Sequence, residues 1–392
     1  MKHITRTIWV LSLVSLFTDV SSEMLYPIMP IYLKSIGFSV VLIGILEGIA
    51  EATAGLSKSY FGKLSDESGK RVPFVRLGYI LSSLSKPMMG FFTYTWWVFS
   101  SRTMDRLGKG IRTGARDAML SSEATPETKG KIFGFHRAMD TLGAVIGPSL
   151  ALLYLYFFPE DYRNLFFIAL IPGMIAVAAT FLLKDNAEKT EVTKRSASFF
   201  AFVYYWKESP REYKKLLIGL LIFALFNSSD VFLLLKAKQS GLDDSWVIGI
   251  YIFYNLVYAS FSLPLGILAD KVGLKGIFLL GLILFAIVYF GMAVSDSLRV
   301  YIVLFFIYGI YAAATEGISK AWVSNVVDRK DTATAIGTYS GFQSICAMLA
   351  SSIAGVMWFE FGAQSTFTLT AIVTLAVAIY FLFKVTIRKK NS

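Results

Sequence analysis

Long apolar stretches alternate with short polar connections along the chain. Twelve stand out: about 8–33, 40–61, 73–94, 96–120, 131–157, 164–183, 215–235, 246–268, 275–295, 298–321, 334–358 and 364–384. A helix that crosses a hydrocarbon layer needs about 20 predominantly apolar residues, and each stretch suffices. The one long polar segment, 184–214, is rich in Lys, Glu and Ser. It holds the breaker Ser209-Pro210, while Ser198-Phe199-Phe200 and Trp206 suit a membrane surface. The pattern predicts an all-α polytopic membrane protein of twelve transmembrane helices. A six-helix bundle over 1–183, a cytoplasmic linker over 184–214 and a second six-helix bundle over 215–392 follow.

Composition agrees. Of 392 residues, 55% are apolar types and 17% charged, against roughly 25% charged in a soluble domain; mean hydropathy is +0.59. Disorder and a disulfide scaffold are excluded, and a soluble enzyme is disfavoured. The net charge of +11 does not argue for nucleic acid, because no basic run is joined to base-stacking aromatics. About five basic residues, Lys34, Arg163, Lys236, Lys238 and Arg299, fall on one side of the spans, and most loop Lys and Arg fall on the other. The positive-inside rule then puts both termini in the cytoplasm. Lys2 and Arg6 precede the first apolar run, but Asp19 and Glu23 follow with no small-residue cleavage site, so it reads as an uncleaved span. Cys346 is the single cysteine, and only His3 and His136 offer imidazole. No metal site, cofactor or ATP-binding loop is expected.

An internal repeat divides the spans six and six. Gly62-Lys63-Leu64-Ser65-Asp66-Glu67-Ser68-Gly69-Lys70-Arg71 follows the second stretch, and Gly266-Ile267-Leu268-Ala269-Asp270-Lys271-Val272-Gly273-Leu274-Lys275 follows the eighth. Both read G-x-L-x-D-x-x-G-x-[KR], and Asp270 lies 204 residues after Asp66. Parallel repeats of this kind mark transporters with a substrate site near the bilayer midplane. Here the chain resembles the major facilitator superfamily over essentially its whole length. The resemblance implies a cytoplasmic latch held by Asp66 and Arg71, with Asp270 as its C-terminal counterpart; the alternative is a tight turn with topogenic charges. In the fifth span, Gly134, Gly143, Gly147 and Pro148 match most of the superfamily's antiporter motif. Ala151 and Leu152 stand where its closing glycines would be. The motif would imply export by exchange; ordinary small-residue packing explains the same pattern. In the fourth span, Arg106-x3-Gly110 resembles a motif tied to proton transfer, with Lys109 in place of the usual polar residue. The string D-R-x-G-K-G-x-R-x3-R-D resembles an uncharacterised bacterial branch of the superfamily.

The fourth span can be read without any resemblance. At 100° per residue, Arg102, Asp105, Lys109, Arg112 and Arg116 fall within about 80° of one another. Each unpaired charge in the bilayer core costs about 2.5–3.5 kcal/mol or more, so the row must face water or buried partners. Acids are at hand: Asp19 and Glu23 in the first span, Glu47 and Glu51 in the second, Asp140 in the fifth beside Arg137, Asp230 in the seventh, and Glu316 with Lys320 in the tenth. The resemblance implies a cavity lined by the first, fourth, seventh and tenth spans. The candidate substrate residues are Arg102, Lys109, Arg112, Glu316 and Lys320; Glu316 corresponds to Arg112 under the 204-residue offset. Asp19, Glu23, Glu51 and Asp230 are the candidates for proton coupling. Asp66, Arg71, Asp270, Gly143, Gly147 and Pro148 are the candidates for gating. A static salt-bridge network that holds helices in register is the alternative for any one charge. Pro27 and Pro30 in the first span should permit a kink.

These features predict a secondary transporter, not an enzyme, working by alternating access. Its expected partners are protons, a small anionic or zwitterionic organic solute and the lipid bilayer, with a lean towards efflux. A monomer in a bacterial inner membrane is expected. A multidrug exporter of lipophilic compounds and a flippase of a lipid with an anionic head are the rivals.

Overall fold

The computed structural model describes residues 4–26, 28–38, 40–185, 201–228, 230–242 and 244–385. Lys2, His3, Pro27 and residues 198–200 lie outside the described residues. Among those described there is no β-strand. The helices are α1 Arg6–Glu23, α2 Met29–Ser35, α3 Val40–Ser68, α4 Val72–Phe91, α5 Thr95–Ser122, α6 Lys129–Phe157, α7 Tyr162–Ile168 and α8 Leu170–Thr180. After them come α9 Ala201–Glu208, α10 Arg211–Phe226, α11 Val231–Gln239, α12 Asp244–Val272, α13 Leu274–Val294, α14 Leu298–Asn325 and α15 Thr332–Lys384. Each of the twelve apolar stretches corresponds to one helix or to a consecutive pair. α15 holds two stretches and kinks at Gly362, where φ is 79°.

By length and apolarity alone, six helical stretches among the described residues qualify as membrane crossings. α5 is not one of them, because its row of charges breaks the apolar window. The arginines of the row are turned inward, with Arg102 7%, Arg112 5% and Arg116 9% exposed, while Lys109 is exposed. Large apolar side chains point outward, Phe359 at 87% and Tyr156 at 79% exposure. That distribution reverses the one expected in water.

The repeat recurs in the backbone. Gly69 (φ 64°) and Gly273 (φ 99°) hold equivalent places in the two copies of the loop motif. Each follows the end of a long helix, α3 and α12. The left-handed conformation there is costly for any residue with a Cβ.

The chain divides into two compact units. The first contains residues 1–124, 139–205 and 328–344; the second contains 125–138, 206–327 and 345–392. In the first unit α5 packs against α3 and α4, and α8 against α1 and α4. In the second, α14 packs against α12 and α13. Close helix contact in the first unit depends on glycine. A Cβ on Gly78 of α4 would meet the Gly108 carbonyl oxygen of α5 at 2.6 Å. A Cβ on Gly143 of α6 would meet the Leu16 carbonyl of α1 at 2.6 Å, and one on Gly147 the Val20 carbonyl at 2.6 Å. Pro148 follows within α6.

Candidate functional site

The charged row of α5 serves two neighbours. Near its start, Arg102 grips Glu47 of α3 with two hydrogen bonds, Nε to Oε1 at 3.0 Å and Nη2 to Oε2 at 2.9 Å. One turn on, Arg106 stands 3.6 Å from Glu51. Acids at i and i+4 on α3 thus match arginines at i and i+4 on α5. Asp105 turns towards α4. It accepts from the Ser82 hydroxyl at 2.6 Å, and Arg102, Lys86 and Arg106 lie at 3.6, 3.9 and 3.9 Å. Lys86 was not anticipated; a single Lys in an apolar run has no periodic companion to draw attention to it. Its ammonium donates to the Ser82 carbonyl at 2.9 Å.

Deeper in the row, the Arg112 guanidinium lies 4.5 Å above the Tyr79 ring. Its Nε and Nη1 are buried and have no hydrogen-bond acceptor. Arg116 donates to Asp117 at 2.9 Å and to the Ser15 hydroxyl of α1 at 3.3 Å. Ser15 in turn donates to Asp140 of α6 at 2.5 Å. Asp140 and Asp19 of α1 are hydrogen-bonded to each other, with Glu23 and Lys109 as charged neighbours of Asp19. Gly143 sits one turn beyond Asp140. The close approach it allows to Asp19 (2.8 Å from a Cβ on Gly143 to the Asp19 Cβ) brings the two carboxyls together. Glu23 ends α1, and Met24–Tyr26 turn before α2.

The second unit has a smaller polar group. α10 ends at Phe226 and α11 begins at Val231. In this interruption, Asp230 accepts from the hydroxyls of Tyr254 (2.6 Å) and Tyr308 (2.6 Å). Glu316 pairs with Arg137 at 3.8 Å, and Arg137 donates to the Tyr258 hydroxyl while stacking on its ring at 5.2 Å. Lys320 lies one turn further along α14. Arg112 and Glu316, matched by the repeat offset, therefore each have company within their own unit. The interruption after α10 falls at the repeat equivalent of the one after α1. Discontinuous helices at corresponding positions of two repeats are a feature of transporter binding sites.

The loop aspartates cap helices. Asp66 accepts from the Thr334 N–H at 2.6 Å and its hydroxyl at 2.7 Å, in the first turn of α15. Arg71 reaches Asp66 at 2.9 Å. Asp270 accepts from the Gly130 and Lys131 N–H groups of α6, both at 2.7 Å. Each carboxylate thus answers orphan donors at a helix N-terminus. Asp66 lies beyond the apolar part of α3, and burial pushes its carboxyl up to about 6, against the pull of Arg71 and Thr334. Beside it, a cavity of about 800 Å³ is lined by Asp66, Arg71, Lys184, Asp185, Asp328 and Lys330 among others.

A family model for the Major Facilitator Superfamily matches residues 11–253 and 235–392. The chain belongs to the major facilitator superfamily. An uncharacterised MFS-type transporter of Methanocaldococcus jannaschii is 34% identical over 97% of this chain and 96% of its own. A multidrug resistance efflux pump PmrA homologue of Lactococcus lactis is 24% identical over 86% and 84%. The crystal structure of the human organic anion transporter MFSD10 (TETRAN) superposes with a TM-score of 0.83 at 17% identity, covering 96% of this chain and 99% of that one. At that identity the likeness speaks for the fold alone. As a superfamily member the chain is an integral membrane transporter of small solutes, with twelve helices in two six-helix repeats. Among the described residues of this superfamily member, no group of three or more His, Cys, Asp or Glu side chains is placed to hold a metal ion.

Proposed function

We propose that this transporter works by alternating access, coupled to protons, and carries a small anionic or zwitterionic organic solute, with a lean towards efflux. The observation that carries the reading is Arg112: a buried guanidinium with two donors that lack an acceptor. An unmet buried donor costs about 1–3 kcal/mol, and a bound anion removes that cost. Lys109, one turn away, and Arg102 belong to the same charged row. In the second half, Glu316 and Lys320 are the remaining substrate residues of this reading, and the Glu316 carboxylate suits a cationic group of a zwitterion.

Asp19, Glu23, Glu51 and Asp230 are the proton-coupling residues of this reading. Its support is the carboxyl–carboxyl contact of Asp19 with Asp140, since neighbouring carboxyls readily exchange a proton. Asp66 with Arg71, and Asp270, act as latches, and Gly143, Gly147 and Pro148 let α6 bend against α1. The bundles 1–183 and 215–392, joined by a cytoplasmic linker, are the moving halves of a monomer in a bacterial inner membrane, with both termini in the cytoplasm.

A second reading, a multidrug exporter of lipophilic compounds, draws on the pairing of Arg102 with Glu47 and of Arg106 with Glu51, which neutralises much of the row. The Lactococcus lactis relative bears a multidrug name. One experiment separates the two. Detergent-purified wild type and Arg112→Ala are heated with carboxylates, phosphate esters, amino acids and lipophilic cations. Stabilisation by an anion, lost in the variant, is the expected result. Stabilisation by cations alone, kept in the variant, puts the multidrug reading first. The compound so found then enters proteoliposomes, where Glu23→Gln should uncouple its movement from the pH gradient.

A further inference from the structure

Arg76 lies outside the charged row and outside every role assigned so far. It stands one turn inside α4, which begins at Val72. α4 and the consecutive pair α7–α8 run antiparallel along a seam. A Cβ on Gly90 would meet the Phe167 ring at 3.0 Å. The Ser83 hydroxyl donates to the Gly173 carbonyl at 3.1 Å. The Arg76 guanidinium stacks on the Phe181 ring, 4.3 Å from its centre. Steps of seven residues keep Gly90, Ser83 and Arg76 on one face of α4. Arg76 closes the seam where α8 ends at Thr180.

Its charge is not answered there. Nε is buried without a hydrogen-bond acceptor, and among the described residues Arg76 has no ion pair. The carbonyls that end α8 have donors of their own. Those of Ala178, Ala179 and Thr180 accept from the N–H groups of Phe181, Leu182 and Leu183. Asp185, just beyond, spends Oδ1 on the Arg71 and Val72 N–H groups.

The surface beside Arg76 is open and apolar. Phe181 is 61% exposed, Leu77 47%, Leu84 45% and Met174 46%. Leu77 and Leu84 each follow a seam residue of α4 by one position, and Met174 follows Gly173. On two antiparallel helices that 100° step turns both sets to the same side. In a membrane transporter such a side meets acyl chains, and a guanidinium one turn inside a span lies at headgroup depth.

We propose that Arg76, backed by Phe181, holds the phosphate of an anionic phospholipid whose acyl chains lie along Leu77, Leu84 and Met174. A planar guanidinium matches phosphate oxygens and stacks on an aromatic face at the same time. An anionic headgroup leaves the whole phosphate charge to Arg76. A zwitterionic one brings its own cation, which competes for it. The inference does not depend on which solute is carried.

The test is native mass spectrometry of the full-length protein in detergent, titrated with dioleoyl phosphatidylglycerol or dioleoyl phosphatidylcholine. The proteins are wild type, Arg76→Gln and Phe181→Ala. Wild type should bind the glycerol lipid more tightly than the choline lipid. Arg76→Gln should weaken the glycerol lipid by about tenfold, the size of a lost charge-assisted hydrogen bond. Phe181→Ala changes an exposed ring and spares the core, so it reports even if Arg76→Gln does not fold. It should weaken the same lipid by roughly threefold, through the lost cation–π contact. Unchanged glycerol-lipid binding in either variant overturns the site. Equal affinity of wild type for the two lipids overturns the charge class. Full displacement of the lipid by millimolar inorganic phosphate makes the ligand a free anion and overturns the lipid assignment.

Discussion

Asp66 accepts two hydrogen bonds from Thr334 and an ion pair from Arg71 while almost wholly buried. Burial wins, and the carboxyl is pushed up to about 6. The sign of the consequence follows from linkage. The folded protein holds this proton more tightly than the unfolded chain, so between the ordinary carboxylate value and about 6 the contribution of Asp66 to stability falls as pH rises. Asp66→Asn lacks this titration. Melting temperatures of the two proteins compared from about pH 4 to pH 7 should shift in favour of the variant with rising pH. A constant difference would show that Asp66 is not perturbed. The loop motif marks Asp66 as special from sequence. Its partner Thr334 is 268 residues away, and no spacing rule connects the two.

Helix packing sets where the charges can go. α4 and α5 touch through Gly78 and Gly108, backbone against backbone. Gly78→Ala should cost about 1–3 kcal/mol by overpacking, read as a lower melting temperature. Gly48→Ala on α3, where a new Cβ meets nothing within 4 Å, should be neutral or gain up to about 1 kcal/mol from helix propensity. Equal effects of the two changes would falsify the close-contact account. At this scale the sequence was only partly legible. The arc of Arg102, Asp105, Lys109, Arg112 and Arg116 follows from 3.6 residues per turn, and the matching acids at Glu47 and Glu51 are visible as an i, i+4 pair. Which neighbour each charge turns to was not. Arg112 goes to Tyr79, an aromatic residue that no charge pattern singles out. Asp230 goes to two tyrosines on separate helices.

The proposed topology of the whole chain rests on its basic residues. With Cys346, a free thiol, replaced, single cysteines at Ser68 and Ser297 should label from opposite faces of the membrane, Ser68 from the cytoplasm. Both are exposed; Ser68 is the last residue of α3 and Ser297 precedes the first residue of α14. Labelling of Ser68 from outside would reverse the orientation inferred from Lys and Arg. The sequence by itself determined the spans, the repeat and the superfamily, because each is written in local order: apolar length, a motif recurring at a fixed offset, glycine where φ is positive. Only the tertiary structure decided which cation meets which acid, and which of them stays unmet. Helical periodicity sets the angle at which a side chain leaves its own axis. An ion pair between helices also needs its partner within about 4 Å, and that distance is set by how closely glycines let the helices approach.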